Sequence, residues 1–359
     1  MIDRRAFLMG AAALGVAGCT TAGAGPVVSA QGGLPPKSPM GIASTAMSMH
    51  LGGLGIATPM RDDPVRYLEY LRSLGAGGIQ HAVSTDLPRF RQRLDELEMY
   101  YEGEARLPAR LTDDLSGFEQ SVKNSAELGA TVMRAVSRPP EGRPQGGRRY
   151  ATFYSYDEYK AWEAEANAIV EKCLPIAERY KVAIALENHK DRTSEEHVAF
   201  LKRFDSEYLG ALVDPGNNVA LMEDAMETVN RLAPYAKACS LKDMGVAPYE
   251  QGFLLSEVQF GTGIYDQARI FSILRQHNPK IHPTTELITR DPLQIPNLTK
   301  DYYRTLPDRE ARRESWMAMV RAKATNLPRV EHLTPAERMQ AEEDNNRQVM
   351  DWGRTHIRV

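Results

Sequence analysis

In four places, an apolar run of this chain ends on residues that can do chemistry. Val182 to Leu186 runs into Glu187-Asn188-His189, and Gly210 to Val213 into Asp214-Pro215-Gly216-Asn217. Ala238-Cys239-Ser240-Leu241 leads to Lys242-Asp243, and Thr284-Thr285 to Glu286-Leu287-Ile288-Thr289-Arg290. A carboxylate at the inner end of a buried strand is poorly hydrated and needs a cation or a proton to offset its desolvation. Each one alone is equally well read as half of a structural salt bridge. Three gathered at one mouth repel one another, and a divalent cation among them would relieve that cost.

The elements that would gather them follow from hydrophobic periodicity. Short apolar runs at 41–48, 77–83, 99–104, 131–136, 182–187, 209–214, 236–242 and 281–288 read as strands. Helical patterns follow them at 65–74, 87–97, 114–128, 157–180, 194–204, 223–233, 265–277 and 308–323. Eight such steps predict an α/β fold, a (β/α)8 TIM barrel over 41–323, with a C-terminal helical extension over 324–359 whose helix spans 335–352. The long connections 51–62, 137–155, 244–263 and 290–307 all follow strands, so they belong at the carboxyl face where barrel active sites sit. No Gly-x-Gly-x-x-Gly follows the first strand, which argues against a dinucleotide-binding sheet.

In this order, and on strands five to eight, Glu187-Asn188-His189, Asp214-x-Gly216-Asn217, Leu241-Lys242-Asp243 and Glu286 resemble the xylose-isomerase-like TIM barrels. That superfamily holds sugar phosphate isomerases and epimerases together with endonuclease IV, and the resemblance covers roughly residues 41–300. It implies a divalent metal held by Glu, Asp, His and Glu, with the two glutamates flanking the reacting carbons. Carried over, Glu187, Asp214 and Glu286 match three ligands. The fourth position departs from the usual His-x-Lys-Asp, because Ser240 stands where the histidine would be. An all-oxygen set favours Mn²⁺ or Mg²⁺ over Zn²⁺ and leaves a position open to water or substrate. His189 returns to the same side of its strand as Glu187 and would orient a carboxylate or contact substrate.

Other side chains are candidates for the mouth. His50 and His81, near the ends of strands one and two, are read as substrate contacts or as hydrogen-bonded wall residues. Arg134 sits in apolar Thr-Val-Met-Arg-Ala-Val and either pairs with a barrel carboxylate or binds a hydroxyl-rich or anionic ligand. Lys242 either neutralises carboxylates or stabilises a developing enolate. Asn217 and Arg290 are further substrate-binding candidates, Arg290 also as a loop anchor. Arg148 and Arg149 read as solvated charge, and Tyr302 and Tyr303 as packing or as a stacking surface for a sugar.

The chemistry expected of this set is metal-assisted proton abstraction next to the carbonyl of a sugar or keto-sugar. Glu187 and Glu286 would be the acid/base pair, and Lys242 or His189 would stabilise the enediolate. Return of the proton decides between epimerase and isomerase. Loss of a β leaving group would make the enzyme a 3-keto-glycoside lyase. A non-catalytic carbohydrate-binding lipoprotein with a decayed metal site is the reading from a different class.

Composition narrows the field. With 42% hydrophobic and 25% charged residues among 359, the chain is neither disordered nor collagen-like. A net charge of -3 offers no electropositive surface for nucleic acid. Asp3-Arg4-Arg5-Ala6-Phe7-Leu8 resembles a twin-arginine export signature, and Val16-Ala17-Gly18-Cys19 a bacterial lipobox. Residues 1–19 are therefore expected to be an export signal and 20–40 a flexible tether, with the protein lipid-anchored at Cys19 on the periplasmic side. Export after folding would let a metal load in the cytoplasm. It also favours a free sugar or glycoside over a phosphorylated one. Cys173 and Cys239 are expected to be free core thiols.

Overall fold

The computed structural model describes residues 33–140, 142–143 and 148–358. The expected export signal and residues 20–32 of the expected tether lie outside the described residues. Eleven strands are described: β1 (Gly41–Ala43), β2 (Gly78–Gln80), β3 (Tyr100–Glu104), β4 (Val132–Ala135), β5 (Ala183–Glu187), β6 (Leu209–Val213), β7 (Ala236–Cys239), β8 (Asp243–Tyr249), β9 (Gly252–Val258), β10 (Thr284–Thr285) and β11 (Leu293–Ile295). Eight of them form one parallel sheet in the order β10-β1-β2-β3-β4-β5-β6-β7. A parallel bridge between Leu241 and Thr285 brings its two edges together, with Leu241 N–H donating to Thr284 O at 2.8 Å and Glu286 N–H to Leu241 O at 2.9 Å. This is the expected (β/α)8 barrel.

Alternation along the strands sorts the side chains. Ile79, Met133, Ile184, Leu186, Ala211, Val213 and Cys239 belong to the large core that packs under the helices. Val132, Ala183, Ala185, Leu212 and Ala238 form a separate cluster of mostly small residues. They share strand parity with Arg134, Glu187, Asp214 and Lys242, so they floor the barrel and leave room above for long polar chains. Tyr100 fills the base on the β1–β2 side, where a Cβ at Gly41 or Gly78 would overlap its ring.

The surrounding helices are α1 (Pro64–Ser73), α2 (Leu87–Leu97), α3 (Ser116–Glu127), α4 (Tyr156–Tyr180), α5 (Ser194–Leu201), α6 (Ala225–Leu232), α7 (Gln267–His277), α8 (Arg313–Ala322) and α9 (Pro335–His356). Their starts follow capping chemistry. Asp63 accepts from Val65 and Arg66 N–H ahead of Pro64, and Thr193/Glu196 and Thr334/Glu337 form capping boxes on α5 and α9. No helix of the described residues is long and apolar enough to cross a membrane.

The structure departs from the sequence reading in four places. The first strand stops at Ala43, and Ser44–Met47 turns as a 3-10 helix. The eighth strand shrinks to Thr284–Thr285, because Pro283 has no N–H to offer the ladder. The connections read as loops at 244–263 and 290–307 contain an antiparallel sheet, β11-β9-β8. Met244 and Val246 on β8 and Phe253 and Leu255 on β9 alternate inward against Trp316, Met317 and Val320 of α8. The expected C-terminal helix is present as α9, and its Val349 and Met350 join the large core. Glu342 on α9 is fully buried against the segment after β1, and Gly353 packs on Met40 and Ser38. Within the stretch read as tether, Ser38 N–H donates to Gly75 O at 2.8 Å and Met40 is fully buried.

Candidate active site and metal centre

The carboxyl ends of β3 to β6, with the residues after β7 and β10, bring Glu104, Arg134, Glu187, Asp214, Lys242 and Glu286 into one buried network. Arg134 on β4 reaches three carboxylates. Its Nε lies 2.6 Å from Glu187 Oε2, Nη1 2.9 Å from Glu104 Oε1, and Nη2 3.5 Å from Glu286 Oε1. Lys242 Nζ lies 2.7 Å from both Asp214 Oδ2 and Glu286 Oε2. Of the two readings left open for Arg134, its pairing with barrel carboxylates is the one seen.

The remaining carboxylate oxygens are held by neutral donors. Asn217 Nδ2 donates to Glu187 Oε1 at 2.8 Å, and Thr45 Oγ1 to Glu286 Oε1 at 2.7 Å. Asp214 Oδ1 accepts from Gly216 N–H at 2.9 Å and Asn217 N–H at 3.0 Å. Lys190 Nζ donates to Asn217 Oδ1, which fixes the amide that holds Glu187.

These environments separate the carboxyls. Burial pushes Glu187 up to about 7, against the opposing pull of Arg134 and with help from the charges of Glu286 and Asp214. Burial acts on Glu286 in the same direction, but Lys242 and Arg134 outweigh it and hold that carboxyl well below the usual range. Asp214 is raised by burial despite Lys242. For Lys242, burial favours the neutral amine, yet Asp214 and Glu286 hold it protonated above its ordinary value. Burial, then the cations of Lys190 and Arg134, keep His189 neutral. Lys190 is pulled down to about 8 by burial and by Lys242 and Arg290.

The other predicted residues fall as follows. His189 Nε2 is 3.9 Å from Glu187 Oε1 and its side chain is 26% exposed, so it stands on the open side of the network. Ser240 lies on the inner face two residues before Lys242; its hydroxyl is buried and has no hydrogen-bond partner. His50 is committed elsewhere. Its Nδ1 is 2.7 Å from Glu342 Oε2 and its Nε2 3.0 Å from Tyr70 OH, which makes it a wall residue tied to α9. His81 packs edge-on to Tyr67 at 5.2 Å and makes no hydrogen bond through its ring. Arg290 forms a two-pronged pair with Glu257 on β9, at 2.5 and 3.1 Å, and anchors its loop to the second sheet. Arg149 is not solvated charge: it is buried over the Tyr159 ring with Nη1 2.6 Å from Glu196. Tyr302 and Tyr303 are buried packing residues whose hydroxyls donate to Ala220 O and Asn297 O. Cys173 and Cys239 are free and buried, as expected.

Glu104, Thr45, Lys190 and Glu257 were missed from sequence. Glu102 and Glu104, two apart on β3, carried a signal, since both must face the barrel interior. The other three carried none short of the fold.

Glu187, Asp214 and Glu286 each place an oxygen within 4.8 Å of the other two, and among the described residues this is the one group that could hold a metal ion. Donor type and spacing suit a hard divalent cation. Charge does not: an ion among these three carboxylates would lie beside an ammonium already in contact with Asp214 Oδ2 and Glu286 Oε2. Two like charges at that range in a buried site repel by several kcal/mol. As the residues stand they do not fit the ion, and no step below is routed through one.

A family profile described as "Xylose isomerase-like TIM barrel" matches residues 68–309. A curated relative, 3-oxo-isoapionate decarboxylase of Pectobacterium atrosepticum, is 28% identical over 137 residues, 38% of this chain and 50% of the relative. The chain thus matches about half the length of that relative. Among solved structures, D-psicose 3-epimerase in the presence of D-fructose superposes with a TM-score of 0.54 at 13% identity, covering 89% of this chain and 99% of that one. A xylose isomerase-like TIM barrel protein from Mycobacterium smegmatis in complex with magnesium gives 0.50 at 16% identity, covering 79% and 98%. These two structural likenesses are likenesses of fold.

Proposed function

The chain belongs to the xylose isomerase-like TIM-barrel family, and from that premise we propose that it is a sugar-modifying enzyme that removes a proton next to the carbonyl of a sugar or keto-sugar. By outcome it is an isomerase or epimerase. The observation that carries this reading is the pairing of a buried carboxyl, Glu187, held near neutrality, with two fixed cations beside it. A base poised near the working pH is efficient, and cations already in place stabilise the charge that develops on oxygen.

Glu187 takes the proton from carbon, and the electron pair of the C–H bond moves to the carbonyl oxygen. Lys242 and Arg134 stabilise the enediolate. A proton from water delivered to the opposite face gives the epimer, and the hydroxide left behind takes the proton held by Glu187. Return of the Glu187 proton to the former carbonyl carbon, with the neighbouring hydroxyl proton passing to the other oxygen, gives the isomer. Glu286 remains ionised and positions the cations, a narrower part than the acid/base pair expected from sequence. His189, neutral and on the open side, passes protons between Glu187 and solvent. The Mg²⁺ or Mn²⁺ expected from sequence has no part in these steps, because the Lys242 ammonium already neutralises Asp214 and Glu286.

The curated relative supports a second reading. Loss of CO₂ from a 3-oxo acid leaves its electron pair on the same carbonyl, and protonated Glu187 then quenches the enediolate. Elimination of a β substituent from a 3-keto-glycoside would start from the same proton abstraction. The paired arginines Arg4-Arg5 and the sequence around Cys19 support export to the periplasmic side and a lipid anchor, which makes a free sugar or glycoside the substrate class. Metabolic palmitate labelling that persists in Cys19→Ala would remove the anchor.

The test is incubation in D₂O with a panel of aldoses, ketoses, 3-keto-glycosides and 3-oxo sugar acids. The expected result is deuterium on the carbon next to the carbonyl, absent with Glu187→Gln. CO₂ release without prior exchange selects the decarboxylase instead. Inertness toward the whole panel overturns the enzyme reading.

A further inference from the structure

We infer that Lys242 and Arg134 together stand in for the divalent ion, so that the working site is neutralised by the protein's own cations and carries no metal. The six oxygens of Glu187, Asp214 and Glu286 are all engaged within the chain. Glu187 Oε2 meets Arg134 at 2.6 Å, and Asp214 Oδ2 and Glu286 Oε2 both meet Lys242 at 2.7 Å. Asn217, the Gly216 and Asn217 amides, and Thr45 hold the other three.

Charge counting leads to the same place. Glu104, Glu187, Asp214 and Glu286 face Arg134, Lys190 and Lys242, which leaves one negative charge in excess. A divalent ion would turn that into a buried positive excess, and burying unpaired charge is costly. Lys242 is only 1% exposed, and its two carboxylate contacts are what make a charged amine tolerable there.

The donor set has lost its nitrogen as well. Ser240 occupies the strand position of the expected imidazole, and its buried hydroxyl makes no hydrogen bond within the chain. His189, at 3.9 Å from Glu187, does not join the group of three. The chemical consequence is that an ammonium and a guanidinium, rather than a Lewis acid, polarise the substrate oxygen. That consequence rests on the proposed function; the occupancy of the triad does not.

The experiment measures metal, not turnover. Protein purified without chelator from cells supplied with Mn²⁺ and Mg²⁺ is analysed by elemental mass spectrometry, and Mn²⁺ binding is followed by electron paramagnetic resonance and by Tm. The wild type is expected to carry far less than one equivalent of metal and to show no Tm change with Mn²⁺ or EDTA. Lys242→Met/Ser240→His, which removes the cation and restores an imidazole, is expected to bind Mn²⁺ about a hundredfold more tightly, the scale expected when a like charge leaves a buried site. Lys242→Gln is measured beside it, because it keeps a hydrogen-bonding side chain if the double variant fails to fold. One tightly held equivalent in the wild type, with a Tm drop on chelation, overturns the inference. A metal-free wild type that is inert toward every sugar leaves it standing and sinks the proposed function instead.

Discussion

Arg134 Nε sits 2.6 Å from Glu187 Oε2, and through its other nitrogens the same guanidinium reaches Glu104 and Glu286. The proposed base is therefore tuned by a fork that also ties β3 to β5. Arg134→Lys keeps the charge but cannot make all three contacts. It is expected to lower kcat/KM about a hundredfold and to move the acidic limb of the pH profile upward, because Glu187 loses the guanidinium hydrogen bond at 2.6 Å that favours its ionised form. A rate loss with the limb unmoved would argue that Arg134 only supports the fold.

In the wild type, kcat/KM for proton exchange is expected to rise with pH through about 7, since Glu187 must lose its proton to act as base. Asn217→Ala removes the 2.8 Å donor to Glu187 Oε1, which favours the protonated form, so its limb should lie higher still. A pH–rate series on both proteins checks the order.

Glu102, deeper in the barrel, has its carboxyl raised to about 7 by burial, only partly countered by Gln80 and Thr284. A raised carboxyl favours the protonated fold, so this stability is intact below the ordinary glutamate range and is lost as pH climbs through 7. Glu102→Gln should stabilise the protein by about 2–3 kcal/mol more at pH 8 than at pH 5. Urea titrations at the two pH values give the difference; equal shifts would contradict it.

Glu342 accepts from Met49 N–H at 2.9 Å, His50 N–H at 3.0 Å and His50 Nδ1 at 2.7 Å. Glu342→Ala strands these buried donors and should cost about 3 kcal/mol or more. The same segment carries Thr45 to Glu286, so activity should fall beyond what the unfolded fraction explains. Circular dichroism melts alongside exchange rates separate the two effects.

How much was legible beforehand follows from the range of the forces involved. Glu187, Asp214, Lys242 and Glu286 could be found because each closes an apolar run, and alternation along a strand is a local rule. The β8–β9–β11 sheet escaped because Gly245, Pro248 and Gly252 break its apolar alternation into fragments that read as loop. His50 looked like a mouth residue by position, but its partner lies 292 residues away on α9.

By itself, then, the sequence determined the barrel, the strands that bear the carboxylates and the serine in the histidine's place, since periodicity and spacing are properties of neighbours. Only the tertiary structure decided what neutralises those carboxylates. Arg134 and Glu286 are 152 residues apart and Thr45 and Glu286 are 241 apart. Charge balance in a buried site is set by distance in space, and that distance exists only once the barrel has closed.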